Sequence, residues 1–345
     1  MTSIADIPRF DTTKAHALYN SIFAPIEPAL EGTRHVFLVP DAGLQSLPLG
    51  VLVTAPPAAP IAEMSGYRRV NWLATRYATT VLPSVGALKS LRQFARTARA
   101  SSPFLGIGDP ILDGHPGATR GVNMGRLYSR GAVADADEIR KLPSLPETAD
   151  ELTAMARTLG APASDLYLGE RANERLVRNV DFKRYRVVAF ATHGLMAGEF
   201  SDIGEPALVL TPPSKASSDD DGVLTASEIA GLQLDADWVI LSACNTAAAD
   251  GTPGAEGLSG LARAFFYAGT RALLVSHWAV LSDATVKLTT KMLGESAVDS
   301  TLPRSEAHRR AMLALAADAE NPHYAHPMFW APFVVVGEGG APQRQ

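Results

Sequence analysis

From Leu145 onwards the sequence alternates short apolar runs with amphipathic segments, and this alternation is the feature that most constrains the fold. Four runs are β-branched and apolar with little alternation of polar side chains, as strands covered on both faces are. They are residues 186–192, 207–211, 237–243 and 270–276. Between the last two, residues 256–269 place their large apolar side chains on one helical face. This pattern predicts an α/β fold with a mainly parallel sheet and helices on both faces.

The N-terminal part of the chain repeats the same kinds of element less regularly. Its strand-like runs are 34–40, 76–82 and 103–109, and its helical segments are 11–31 and 85–99. We therefore expect an N-terminal α/β portion over residues 1–145 and a second portion over residues 146–345. Near the C-terminus, residues 303–318 predict a helix and residues 328–336 a terminal strand.

Two polar stretches interrupt the pattern. Residues 110–145 lack an apolar period and predict a long surface loop, and residues 212–222 form a second polar insertion. One interpretation is that both loops border a site and become ordered when a partner binds. The alternative is that they are surface insertions without a function.

The composition excludes several classes of protein. Among 345 residues, 31 basic and 36 acidic side chains give a net charge of −5, and a nucleic-acid binder would need clustered cations. Apolar stretches fall short of the ~18 residues of a membrane helix, and the N-terminus lacks the pattern of a secretory signal. His277, His323 and His326 lack the partners of a metal site. We expect a cytoplasmic protein with no cofactor and no metal, which binds neither nucleic acid directly nor membranes.

Reactive side chains follow two of the predicted strands. His193 and Gly194 come directly after the strand 186–192, and Cys244, the only cysteine, comes directly after the strand 237–243. Because the carboxyl ends of neighbouring parallel strands meet at one edge of a sheet, we expect the imidazole and the thiol to lie close together. They are 51 residues apart, near the spacing of about 50 that caspases have.

This arrangement suits nucleophilic catalysis. The imidazole can deprotonate the thiol, which is a weak nucleophile until it becomes a thiolate. The backbone N–H groups of Gly194 and Cys244 can then stabilise the oxyanion of a tetrahedral intermediate. The alternative interpretation is that Cys244 is a small buried apolar residue and His193 an ordinary loop histidine.

Two aspartates are candidates for contact with a substrate. Asp41 follows the strand-like run 34–40, and Asp283 lies beyond the end of the run 270–276. A partly desolvated carboxylate in either position would favour a Lys or Arg side chain of the substrate. For Asp283 the alternative is a helix N-cap, which is a common use of aspartate.

With these residues identified, the chain resembles the CHAT family, which is related to caspases and separases and often follows helical repeat arrays. The likeness extends over residues 16–337, and its most specific motifs are ATHG at 191–194 and SACNT at 242–246. The resemblance implies a caspase-like sheet whose N-terminal half is a degenerate pseudo-caspase portion. It also implies that His193 and Cys244 form a catalytic dyad, that Gly194 donates to the oxyanion, and that a thioester forms during peptide-bond hydrolysis.

The sequence departs from the caspases at the specificity pocket. Two residues before the cysteine, caspases carry Gln and metacaspases Asp, and this chain has Ser242 there. Ser242 is therefore a candidate substrate-binding residue, but no preference for acidic or basic residues can be transferred from those relatives.

The sequence leaves two functions open. The first is a cysteine endopeptidase that cleaves a protein partner and is regulated by its loops, by a regulatory protein or by a helical-repeat module. The second is a catalytically silent caspase-like module that binds peptides or acts as a scaffold. The intact His193, Gly194 and Cys244 favour the endopeptidase.

Overall fold

A central eight-stranded sheet carries the fold. The computed structural model describes residues 4, 7–94, 100–115, 134–195, 205–243, 260–278 and 281–340. The strands in these ranges are β1 His35–Leu38, β2 Val53–Ala55, β3 Asn71–Trp72, β4 Ala78–Val81, β5 Ser102–Gly108, β6 Leu166–Leu168, β7 Tyr185–Ala191, β8 Gly194–Leu195, β9 Ala207–Val209, β10 Val223–Thr225, β11 Trp238–Leu241, β12 Ala272–Ser276 and β13 Phe333–Gly337. The helices are α1 Thr12–Ile22, α2 Leu73–Arg76, α3 Val85–Phe94, α4 Ala136–Arg140, α5 Glu147–Leu159, α6 Glu174–Arg178, α7 Ala226–Gly231, α8 Gly260–Ala268, α9 Ser282–Val298, α10 Arg304–Ala316 and α11 Pro327–Trp330.

The strands of the central sheet follow the order β1-β4-β13-β12-β11-β7-β5-β6. The sheet is mostly parallel, as the sequence predicts, but it contains one reversal of direction. Strands β6, β5, β7, β11 and β12 run parallel to one another. Strand β13 is antiparallel to β12, and β4 and β1 run parallel to β13. The carboxyl ends of β1 and β4 therefore point to the opposite edge from those of β7, β11 and β12. Strands β1, β4 and β5, from before residue 145, pair in the same sheet as the later strands, and the division at 145 stays a prediction.

Both faces of the sheet are covered, which explains the apolar runs in the sequence. Along β7, Val187 and Ala189 belong to one buried cluster, whereas Val188 and Phe190 belong to a second one. Helices α5, α9 and α10 contribute to the first cluster, and α7 and α8 contribute to the second. Because successive side chains of a strand point to opposite faces, both sets must be apolar. The predicted layering is confirmed.

Three sequence predictions need correction. Of the predicted strand 207–211, residues 207–209 form β9, but this strand lies in a separate antiparallel sheet of order β10-β9-β8. The predicted strand 328–336 begins only at Phe333, because Pro327 starts the helical turn α11, where the His326 ring accepts a hydrogen bond from the N–H of Met328. Residues 110–145 are not a structureless loop throughout, since α4 forms there and Leu142 is buried.

A buried ion-pair network lies at the edge where β11 and β12 begin. Arg271 and Arg304, which are 8% and 5% exposed, approach the same carboxylate oxygen of Asp237 at 3.3 and 3.4 Å. A second nitrogen of Arg271 lies 2.7 Å from Asp235. Because burial removes water from both cations, they depend on these carboxylates for compensation.

Replacement of Asp237 by asparagine is expected to destabilise the fold strongly. The substitution leaves two buried guanidinium groups short of negative charge, and we expect the free energy of unfolding to fall by about 3 kcal/mol. Urea denaturation followed by circular dichroism measures this change. The control is Lys291→Gln, which removes a pair with Glu295 whose lysine side chain is half exposed, and which should change stability by less than about 1 kcal/mol. Equal effects of the two substitutions would contradict the assigned role of Asp237.

Candidate active site at the carboxyl edge of the sheet

The candidate site lies where β7, β11 and β12 end side by side. Strands β7 and β11 pair from Val187 and Trp238 to Phe190 and Leu241, with the same offset of 51 residues at each pair. Beyond the last pair, the N–H of Ser242 donates to the carbonyl oxygen of Phe190 over 2.8 Å. The hydroxyl of Ser276, at the end of β12, donates to the carbonyl oxygen of Ala243 over 2.5 Å. Residues 242 and 243 are thus held between the two neighbouring strands. Cys244 lies outside the described residues.

His193 is fixed both through its backbone and through its ring. Its carbonyl oxygen accepts the N–H of Val209 over 3.0 Å, and the hydroxyl of Thr192 donates to the carbonyl of Val209 over 2.6 Å. The ring nitrogen Nε2 lies 2.8 Å from the carbonyl oxygen of Pro143. Because a carbonyl can only accept, Nε2 carries the proton, and the neutral ring is basic at Nδ1. The side chain has no exposed surface.

Gly194 follows in β8, beside His193. It faces Leu208 across the small antiparallel sheet, and the bond from Val209 to His193 makes this a non-hydrogen-bonded pair. The N–H of Gly194 therefore points away from β9. Gly194 lies at the same edge of the sheet as His193. Its role as a donor to the oxyanion stays a prediction.

The three predicted substrate-binding residues lie in different environments. Asp283 is exposed in the first turn of α9, which begins six residues after the end of β12 and so starts at the edge that carries His193. It is not an N-cap: that position belongs to Leu281, and the N-cap interpretation is wrong. Ser242 is fully buried. Asp41 is exposed and follows β1, so it leaves the sheet at the opposite edge from His193. The substrate contacts themselves stay predictions.

Asp109 is a residue of this edge that the sequence analysis missed. It directly follows β5, whose last residue Gly108 pairs with Ala191, two positions before His193. Its backbone has φ of +50°, a region that non-glycine residues rarely occupy. Burial, and then the charges of Glu147 and Asp150, raise the pKa of Asp109 to about 6. The strand-end rule that singled out His193 would also have found it.

A cavity of about 30 Å³ lies away from His193, among side chains of β1, β4, β13 and α10. It includes His277 and His308, each with one ring nitrogen that is buried and has no hydrogen-bond partner within the described ranges. Neither His193 nor Gly194 lines this cavity. Because chemistry in such sheets collects at carboxyl strand ends, we assign the site to the edge of β7 and β11 instead.

The described residues contain neither a metal-binding cluster nor a membrane-spanning helix. No group of three or more His, Cys, Asp or Glu side chains there has the arrangement of a metal site. Nor is any of the helices described above long and apolar enough to cross a membrane.

The fold and the site define a mainly parallel α/β protein with a buried histidine, followed by a glycine, at a carboxyl strand edge. The model of the CHAT domain matches residues 12–338. The chain belongs to the CHAT domain family, as the sequence motifs predict. Tetratricopeptide repeat protein 28 of Mus musculus is 29% identical over 160 residues, which is 42% of this chain and 6% of that protein. The chain thus spans only a small part of that relative.

Two solved structures are similar in overall shape. The separase chain of the Saccharomyces cerevisiae separase–securin complex aligns with 89% of this chain and 16% of its own length, with a TM-score of 0.49 and 14% identity. The Arg-specific cysteine proteinase gingipain R aligns with 96% of this chain and 68% of its own, with a TM-score of 0.48 and 12% identity.

Proposed function

We propose that this protein is a cysteine endopeptidase with His193 and Cys244 as its catalytic dyad. The observation that carries the proposal is the register of the β7 and β11 pair. Its offset of 51 residues equals the separation of His193 and Cys244 in the chain. Continued past the last observed pair, Phe190 and Leu241, the same count would bring position 193 level with position 244.

The hydrogen bond of His193 supports its role as the base. With Nε2–H donating to Pro143, Nδ1 is the nitrogen that accepts the proton of the thiol. The thiolate then attacks the carbonyl carbon of the scissile peptide and forms a tetrahedral oxyanion. When the C–N bond breaks, the imidazolium returns the proton to the leaving amine, and a thioester remains. Water, deprotonated by the same imidazole, hydrolyses the thioester and restores the thiol.

Gly194 is suited to stabilise the oxyanion. Its N–H points away from β9, so it is not used by the small sheet, and it lacks a side chain that would obstruct a substrate carbonyl. A second donor would come from the backbone N–H of Cys244. One such donor is worth about 10²–10³-fold in kcat.

The charge of this edge favours a substrate with a basic side chain. Asp109, which directly follows β5, lies near Glu147 in the first turn of α5. Asp283 is exposed in the first turn of α9. These carboxylates attract Lys or Arg and repel acidic residues.

Because the matched part of the mouse relative belongs to a tetratricopeptide repeat protein, we also infer that a helical-repeat module is a partner of this domain.

One observation favours the second candidate, a silent peptide-binding module. His193 and Ser242 have no exposed surface, and a substrate can reach them only after the edge opens. A module that binds a peptide without cleaving it needs no such opening.

Labelling and trapping of Cys244 distinguish the two functions. A reactive dyad predicts that iodoacetamide alkylates Cys244 faster in the wild type than in His193→Gln, because only the wild type supplies a base. Peptide libraries and partner proteins are then incubated with the wild type and with Cys244→Ala. An endopeptidase releases fragments that the variant retains uncut. Equal retention by both, together with a thiol that does not react, would establish the silent module.

A further inference from the structure

The Pro143 carbonyl and His193 belong to different parts of the chain. Their hydrogen bond therefore depends on contacts that fix these two parts relative to each other. His193 lies between β7 and β8, whereas Pro143 follows α4 in the segment 134–145. Their contact is a single hydrogen bond of 2.8 Å. A shift of about 1 Å between the two parts would break this hydrogen bond.

Two side chains join the segment 134–145 to the loop between β9 and β10. A guanidinium nitrogen of Arg140, three residues before Pro143, donates to the carbonyl oxygens of Pro213 at 2.7 Å and Pro212 at 3.3 Å. The carboxylate of Asp221 accepts the N–H of Ala134 at 2.7 Å. We name Arg140 and Asp221 the loop clamp.

Asp221 is itself anchored to the small sheet. Its other carboxylate oxygen accepts the N–H of Val223, the first residue of β10, over 3.1 Å, and its own N–H donates to Glu174 over 2.9 Å. Because β10 pairs with β9 and β9 pairs with β8, the clamp connects Ala134 to the sheet that carries Gly194. Apolar packing completes the connection: Ala134 and Leu142 share one buried cluster with residues of β8, β9 and β10.

Backbone hydrogen bonds fix the chain between Arg140 and Pro143. The N–H of Asp113 donates to the carbonyl oxygen of Arg140 over 2.6 Å, and the N–H of Gly114 donates to the carbonyl oxygen of Leu142 over 2.9 Å. Gly114 also forms a parallel bridge with Pro143. A Cβ at Gly114 would lie 2.5 Å from the carbonyl oxygens of Lys141 and Leu142, so this close approach requires glycine.

We propose that Arg140 and Asp221 are positioning residues of the dyad. They keep the Pro143 carbonyl oxygen within hydrogen-bond distance of Nε2–H of His193. The ring thereby keeps the orientation in which Nδ1 can accept the proton of the thiol. This inference deepens the proposed function and rests on it. Neither residue touches the substrate, so removal of the clamp changes the orientation and the proton affinity of His193 rather than substrate binding.

The test compares Arg140→Met and Asp221→Ala with variants that keep part of each contact. We expect kcat for peptide cleavage to fall about 10–100-fold with little change in KM, because misplacement by about 1 Å has such effects. Arg140→Lys and Asp221→Asn each retain one hydrogen bond and should recover part of the loss. The matched controls are Lys141→Met and Asp219→Ala. Lys141 is the next residue and forms an ion pair with Glu138, and Asp219 is exposed in the same loop as Asp221.

A second readout separates positioning from stability. Loss of the Pro143 acceptor disfavours the charged ring, so the pKa of His193, followed by NMR, should fall in the clamp variants and stay unchanged in the controls. A merely structural role would lower the melting temperature without moving this pKa. The inference is overturned if kcat and the pKa of His193 match those of the controls in folded protein. If Cys244→Ala cleaves as the wild type does, the proposed function fails, while the NMR titration still tests the clamp.

Discussion

Replacement of His193 by glutamine is expected to lower kcat for peptide cleavage by about 10²–10⁴-fold. The glutamine amide can still donate to the carbonyl of Pro143, as Nε2 does over 2.8 Å, so the surroundings of residue 193 keep their hydrogen bond. What the variant lacks is a basic nitrogen to accept the thiol proton. Steady-state cleavage of a fluorogenic peptide with a basic residue measures the loss.

Two comparisons make this prediction specific. His323→Ala, in a short helical turn after α10, removes a histidine whose ring packs against Tyr324 and Phe329, and should leave kcat unchanged. The double variant His193→Gln with Cys244→Ala should be no slower than Cys244→Ala alone, because base and thiol act as one unit. Retention of more than about a tenth of the wild-type kcat by His193→Gln would contradict the role of the imidazole as general base.

The candidate edge could be predicted because it depends on where strands end. Apolar runs that are covered on both faces have a recognisable composition, and the residue after such a run stands at the edge of the sheet. This logic identified His193 and Gly194. It would also have identified Asp109, which ends the predicted strand 103–109, had it been applied to every strand.

The partner of the His193 ring could not be predicted in this way. The ring contacts a backbone carbonyl, and every residue type provides one, so the contact leaves no mark in the sequence. Pro143 lies 50 residues away along the chain, in a stretch whose polar composition predicts a loop. The packing of Leu142 and Ala134 against the small sheet, together with the hydrogen bonds of Arg140 and Asp221, brings this stretch to the site.

The direction of the strands could not be predicted from the sequence pattern either. Parallel and antiparallel strands that are buried on both faces have the same apolar composition, so the reversal at β13 is not visible. The reversal places Asp41 and His193 at opposite edges. Strand β6, between Leu166 and Leu168, was missed because it is only three residues long and only partly buried.

Buried histidines should make the protein sensitive to acid. Burial lowers the pKa of His308 and of His326 to about 4, and their side chains are 3% and 5% exposed. Burial likewise lowers the pKa of His35 and His277 to about 4. In the native state these rings stay neutral at pH values where the unfolded chain binds protons.

The sign of the effect follows from this difference. Stability from a neutral buried histidine is complete above the unfolded pKa of about 6.5 and is lost as the pH falls towards 4. Between pH 7 and pH 4.5, His308 and His326 should each lower the free energy of unfolding by about 2–3 kcal/mol. Glu174 acts in the opposite direction, because burial raises its pKa to about 7 and its charged form destabilises the fold at higher pH.

Comparison of variants isolates the contribution of His308. Urea denaturation of the wild type and of His308→Leu is measured at pH 7 and pH 4.5. We expect the variant to lose about 2–3 kcal/mol less than the wild type on acidification, since leucine fills a similar space and does not titrate. His115→Leu is the control: the residue is exposed in the described segment 100–115, and its removal should leave the acid-induced loss unchanged. If His308→Leu and His115→Leu lose the same stability as the wild type, burial of the neutral His308 ring is not what destabilises the protein in acid.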